Sequence, residues 1–147
     1  MTAVELGRPP QGTDASPVGA LIKAHHAISS RLDDLLEPLG LSVAKLGVLR
    51  QLSRGSLPLG ALAQRQSCVR SNITQLIDRM EAEGLVRRVS DPDDRRVTLA
   101  EITEAGHARL RSGRAAQAEA ERVLFRDLDA DEVQQLTRLL VRVATTA

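Results

Sequence analysis

The chain has 147 residues, 42% of them hydrophobic and 27% charged, the balance of an ordinary globular protein with room for one domain and one core. Its formal net charge of +1 argues neither for nor against nucleic acid, so what matters is where the charges sit. One cysteine cannot build a disulfide framework, no apolar run approaches the ~18 residues of a membrane span, and no signal-peptide core opens the chain, so a cytoplasmic protein is expected.

Residues 1–17 hold three prolines and no periodic apolar pattern, and they read as a disordered tail. From Val18 to Leu36, the residues Leu21, Ile22, His25, Ile28, Leu32, Leu35 and Leu36 form a helical stripe that ends before Pro38. Ser42 is a good N-cap for a second helix, which turns Leu46, Val48, Leu49 and Leu52 inward and ends near Gly55. Pro58 and Gly60 introduce a short third helix, Ala61 to Gln66.

Between Val69 and Met80, the residues Ile73, Leu76, Ile77 and Met80 fall at i, i+3, i+4 and i+7, one face of a helix. The other face carries Arg70, Ser71, Thr74 and Gln75, side chains able to donate hydrogen bonds to phosphates or base edges. Asn72 lies nearer the side of the helix and suits a phosphate as well as a base, while Arg79 reads as a surface charge or a further contact. The acids of this helix, Asp78, Glu81 and Glu83, fall in its C-terminal half, so the positive end is the end that meets DNA.

Gly84 stops the helix, Leu85 to Val89 reads as a strand, Asp91-Pro-Asp-Asp-Arg-Arg96 as a turn-rich tip, and Val97 to Ile102 as an alternating return strand. A polar-faced helix followed by a basic hairpin is a DNA-reading layout, with the helix in the major groove and the hairpin on the backbone or in the minor groove. A narrow minor groove concentrates negative potential on an inserted arginine, which favours Arg95 and Arg96 over a purely solvated tip. Arg87 and Arg88 are neighbours on a strand and point to opposite faces, so at most one meets DNA easily.

Thr103 caps a long helix that runs to about Phe125, with Ala105, Ala108, Ala115, Ala116, Ala118 and Ala120 as small positions for close helix approach. Asp129 and Glu132 form a capping-box variant opening the last helix, whose apolar side shows Val133, Leu136, Leu139, Leu140 and Val143. The first, fifth and sixth helices then carry more apolar surface than residues 42–102 can cover, which points to a homodimer through the terminal helices. Such a dimer sets two reading helices one DNA turn apart, roughly 34–36 Å.

Other chemistry finds less support. There is no Gly-rich phosphate loop and no nucleophile elbow, so neither catalysis nor a cofactor is expected. His25 and His26 are adjacent and diverge by about 100° around a helix, and no Cys/His spacing matches a zinc site, so no metal is expected. His25 on the apolar stripe reads as a core or ligand-pocket residue. Cys68 reads first as a small buried residue of the turn and second as a redox sensor, given Arg65, Arg70 and a following helix N-terminus.

These residues resemble the MarR family of bacterial transcription regulators. The resemblance rests on Leu62-Ala63, Ser71-Asn-Ile-Thr74, Leu76-Ile-Asp-Arg-Met-Glu81, Gly84-Leu-Val-Arg-Arg88, Asp91-Pro-Asp-Asp-Arg-Arg96 and Leu99 to Gly106, and it spans residues 18–146. It implies a mainly α, α+β winged helix-turn-helix protein with a DNA-binding region at 41–102 and a helical dimerisation region at 18–40 and 103–147. It also implies a homodimer on a pseudo-palindromic operator, more often a repressor than an activator, and often released by a small ligand or an oxidant. In the wing it assigns Asp94 to brace the arginine that enters the minor groove, Arg96, with Arg95 able to share or take that role. The chain departs from the pattern at Val69, where a Ser or Thr cap is usual, so Ser67 is an alternative helix start. With no Trp or Tyr and one Phe, the family's aromatic effectors do not carry over. The alternative function is a winged-helix module that binds a protein partner and has lost operator reading.

Overall fold

A computed structural model describes residues 16–66 and 70–146, with the side chains of residues 70, 71 and 146 outside the described set. The expected tail therefore lies outside the described residues except for Ser16 and Pro17, as do Ser67, Cys68 and Val69 and the questions of helix start and redox chemistry attached to them.

Helix α1 (Pro17–Leu36) starts one residue before the apolar stripe, because Ser16 Oγ accepts the Gly19 N–H at 3.1 Å and Pro17 occupies the first turn. A 3-10 turn, Glu37–Leu39, and Gly40 at φ 66° redirect the chain into α2 (Val43–Leu52), capped by Ser42 as expected. The third helix, α3 (Leu59–Arg65), begins two residues before Ala61. Pro58 takes its N-cap position, and Gly60 lies inside the helix rather than before it.

Helix α4 (Arg70–Ala82) ends in a complete Schellman motif: Gly84 at φ 72° donates to Glu81 O at 2.9 Å, and Leu85 N–H donates to Met80 O at 2.9 Å. Met80 and Leu85, the hydrophobic pair of that motif, are both buried. The chain then forms β2 (Val86–Ser90) and β3 (Thr98–Ile102), paired antiparallel with Val86 opposite Ile102 and Ser90 opposite Thr98.

A third strand, β1 (Leu57–Pro58), pairs with β3 and gives the sheet order β1-β3-β2. The sequence does not announce it, since two residues carry no periodicity and proline is tolerated only at a sheet edge. β3 is thus central. Leu99 and Ala100 are both buried there, and the simple alternation expected from Val97 to Ile102 is lost.

Thr103 caps α5 (Glu104–Leu124): its Oγ1 accepts the Gly106 N–H at 3.0 Å and donates to Gly84 O at 2.6 Å. α1 and α2 both pack against α5. The positions of closest approach are not mainly the expected alanines, for Ala105, Ala108, Ala115 and Ala118 are exposed. The buried small residues are Gly106, Gly113 and Ala120, each seven apart. Asp129 and Glu132 bond reciprocally, at 2.9 and 2.8 Å, and open α6 (Ala130–Thr146) as a capping box.

One core joins α1 to the winged unit through Leu36, Leu49, Leu52, Leu62, Ile73, Ile77 and Met80. The ends of the chain are different. α6 packs extensively on no other element, and Leu139, Val141 and Val143 are about half exposed, as are Val18 and Ile22 on α1.

Candidate nucleic-acid interface

Burial of Ile73, Ile77 and Met80 sets the rotation of α4 about its axis. It leaves Asn72, Gln75 and Arg79 exposed and Thr74 half-buried, so the expected reading face is turned outward where it is described. Arg70 and Ser71 stand in the first turn of the same helix, with their side chains outside the described set. Leu76 is only half-buried and joins Ser42, Asn72, Gln75 and Arg79 in a cleft of about 540 Å³ between α2 and α4. Arg79 Nε donates to Gln75 O at 3.3 Å, which holds this arginine along its own helix.

The wing tip is built by backbone and carboxylates. Asp91 N–H donates to Val97 O, and Val97 N–H donates to Asp94 O, both at 2.9 Å. Asp91 Oδ1 accepts from Asp93 N–H at 2.8 Å and Asp94 Oδ1 from Arg96 N–H at 3.0 Å, two Asx turns in succession. Asp94 therefore meets Arg96 at its backbone N–H, two residues ahead. Both Arg95 and Arg96 are exposed at this tip.

Helix and wing meet in a second cleft, about 440 Å³, where Thr74 of α4 and Arg96 of the wing are joined by Arg88, Thr98 and the Pro58–Gly60 corner. Arg87 and Arg88 point to opposite faces as a strand requires. Arg87 pairs across the sheet with Glu101 at 3.0 Å, directly opposite in register. Arg88 turns toward α4 and forms ion pairs with Asp78 and Glu81, and Glu81 Oε1 also accepts the Arg88 backbone N–H at 3.0 Å. The hydrogen bond to Asp78 pushes the Arg88 pKa above its usual value against the opposing effect of burial, so this guanidinium stays charged.

That cluster is the part of the site that sequence reasoning did not assemble. A signal existed: Asp78 and Glu81 are three residues apart and share a helix face. Lys45 was also passed over. Its Nζ donates to both Glu83 oxygens at 2.7 and 2.8 Å and to Gly40 O at 3.1 Å, fastening α2 to the end of α4.

The remaining candidates lie apart. His25, on α1, is exposed rather than buried within the single chain, with its ring 5.9 Å from that of His26. Among the described residues no group of three or more His, Cys, Asp or Glu side chains could hold a metal ion, and no helix is long and apolar enough to cross a membrane.

Comparison with known proteins places this geometry. The MarR family model matches residues 41–98, from the residue before the α2 cap to the start of β3. The HTH-type transcriptional regulator MhqR of Bacillus subtilis is 30% identical over 128 residues, covering 86% of this chain and 88% of the relative. The homoprotocatechuate degradative operon repressor of Escherichia coli is 30% identical over 122 residues, 82% of each chain. A crystal structure of a variant of E. coli MarR complexed with operator DNA superposes with a TM-score of 0.77 at 28% identity, covering 86% of this chain and 93% of that one.

Proposed function

The chain belongs to the MarR family of DNA-binding transcriptional regulators, which are not enzymes, and we propose that it acts as a homodimeric repressor on a pseudo-palindromic operator. In this reading residues 41–102 hold the DNA. Residues 18–40 and 103–147 hold the second copy, and the protein works in the cytoplasm on nucleoid DNA.

One observation carries the reading: Thr74 of α4 and Arg96 of the wing open into a single cleft, so helix and wing face one surface together. Gln75 and Asn72, with Arg70 and Ser71 in the turn before, would read or grip the major groove. Arg96 and Arg95 would follow the adjacent minor groove. Each bidentate base contact in such a scheme is worth about 1–3 kcal/mol of discrimination. The uncovered apolar residues of α1 and α6 support self-association, because exposed patches of that kind are ordinarily interfaces.

A small effector would act by binding the DNA-incompetent arrangement of the two reading heads more tightly than the competent one. Support for a polar ligand comes from Arg31 Nε on α1 and Gln51 Oε1 on α2, each a buried atom without a hydrogen-bond partner among the described residues. A ligand that satisfied either atom would remove a desolvation cost of about 1–3 kcal/mol.

The test is anisotropy of labelled duplex from the region upstream of the chain's own gene, against scrambled duplex, over a salt series. Selective binding, with log K falling against log salt by about 0.9 per phosphate neutralised, is expected. Equal weak binding to every genomic duplex tried, unaffected by Arg96→Ala, would replace this reading with that of a protein-binding module.

A further inference from the structure

We propose that Arg88 is a positioning residue for operator recognition: through Asp78 and Glu81 it sets the angle between the recognition helix and the wing, without itself contacting DNA. The inference rests on the reading that α4 and the wing engage one duplex together, and it adds the part that holds the two in register.

The argument starts from what α4 and the hairpin share. The Schellman turn at Gly84 joins α4 to β2 in a few residues, and Thr103, at the end of β3, bonds to Gly84 O and Leu85 O of the same turn, so these ties all lie at the base of the hairpin and leave its outer part to be held from elsewhere. β2 is an edge strand, paired with β3 on one side only. Its outer side carries the Arg88 N–H, and Glu81 Oε1 accepts that N–H at 3.0 Å. The same carboxylate bonds the Arg88 guanidinium through its other oxygen. One turn nearer the reading face, Asp78 takes the second guanidinium nitrogen.

The hairpin is thereby attached to α4 at two points three residues apart along the helix axis, about 4.5 Å. Two separated attachments resist rotation, whereas one would permit it. Asp78 follows Thr74 and Gln75 by one turn, so the tie acts on the segment that presents the expected base contacts.

Charge explains why this arginine is a strut and not a phosphate ligand. Arg88 stands beside Arg96 in the cleft between helix and wing, yet two carboxylates face it, whereas neither Arg95 nor Arg96 makes an ion pair among the described residues. Its side chain is 27% exposed, against 63% for Arg87. The planar fork with several donors is what allows one side chain to reach two carboxylates at once, and a lysine ammonium offers no such geometry.

The test compares wild type, Arg88→Gln, Arg88→Lys and Asp78→Asn. The first readout needs no operator: the width of the distance distribution between spin labels at Asp93→Cys on the wing and Ala82→Cys on α4, in a Cys68→Ser background. Arg88→Gln and Asp78→Asn are expected to broaden it, and Arg88→Lys to restore it only in part. The second readout is DNA affinity. Selectivity for operator over scrambled duplex is expected to fall about tenfold, the size of one lost base contact. Affinity for scrambled duplex and its salt slope should stay as in wild type.

Distributions of unchanged width would overturn the proposal. So would an equal loss on both duplexes with a slope shallower by about 0.9, the signature of a phosphate contact. Should Arg88→Gln fail to fold, Asp78→Asn, at an exposed position, carries both readouts. Broadened distributions in variants of a wild type that shows no operator selectivity would instead sink the functional reading and leave the strut standing.

Discussion

The backbone oxygen of Leu85 lies 2.1 Å from the point a Cβ on Gly106 would occupy, so α5 rests directly on the turn that ends the recognition helix. The Thr103 N–H donates to that same oxygen at 3.1 Å, and Thr103 Oγ1 donates to Gly84 O. The helix expected to join two protomers and the helix expected to read DNA are thus connected by backbone contact and one short capping side chain, Thr103.

Gly106→Ala should therefore destabilise the protein. The obstacle is a carbonyl that already serves as a hydrogen-bond acceptor, and overpacking of this sort costs about 1–3 kcal/mol before any gain in helix propensity. Gly113→Ala is the control. A Cβ there meets the Leu46 and Leu41 methyl carbons at 2.6 and 3.0 Å, ends of side chains that can shift, and the helix gains about 1 kcal/mol from replacing glycine. Urea unfolding followed by circular dichroism should rank the two variants clearly, Gly106→Ala well below Gly113→Ala. The opposite order would mean that α5 does not sit on Leu85.

Thr103→Ala removes both the N-cap of α5 and the bond to Gly84. A lost cap costs about 0.5–2 kcal/mol, with the larger figure expected here because a second hydrogen bond goes with it. Thr103→Ser, which keeps both bonds, should stay near wild type in the same unfolding experiment.

At the wing, Asp94→Asn and Asp94→Ala should behave differently. An amide oxygen can accept the Arg96 N–H as the carboxylate does, so the asparagine variant should bind operator nearly as tightly as wild type. The alanine variant, without the Asx turn, should bind several-fold more weakly. Equal loss in both would point to an ion pair between Asp94 and an arginine in the complex.

Leu139→Glu combined with Val143→Glu places two charges one turn apart on the exposed apolar face of α6. Sedimentation velocity should show a monomer. Operator affinity should drop by about 10²–10⁴, the avidity lost when two linked reading heads become independent. A double variant that remains a dimer would move the interface elsewhere on the chain.

Much of the fold was legible because it is written in contacts only a few residues long. Ser42, Thr103 and the Asp129–Glu132 box each cap a helix by bonding three residues ahead, and each is visible as a residue type at a fixed spacing. Gly84 ends α4 for an equally local reason, a left-handed backbone that glycine adopts without steric cost. Of the heptad-spaced Gly106, Gly113 and Ala120, the alanine was among the small positions the sequence pointed to, and the two glycines were less visible. Six nearby alanines advertise small size more loudly, and which small residues are needed depends on what arrives against them.

The wing divides in the same way. Its hairpin, its turn-rich tip and its two exposed arginines follow from residues in sequence order. The partner of each charge does not. Asp94 spends its carboxylate on the chain two residues ahead, and Arg88 reaches back across a turn to two acids that the sequence places in the C-terminal half of α4 without naming their partner. By itself the sequence determined the order of helices, their caps and stops, and the side of α4 that faces the core, since periodicity and capping act over one or two helical turns. Only the tertiary structure decided the third strand, the glycines of α5 that meet its neighbours and the strut from β2 to α4. Each of those depends on a distance between segments that local propensity leaves open and packing alone closes.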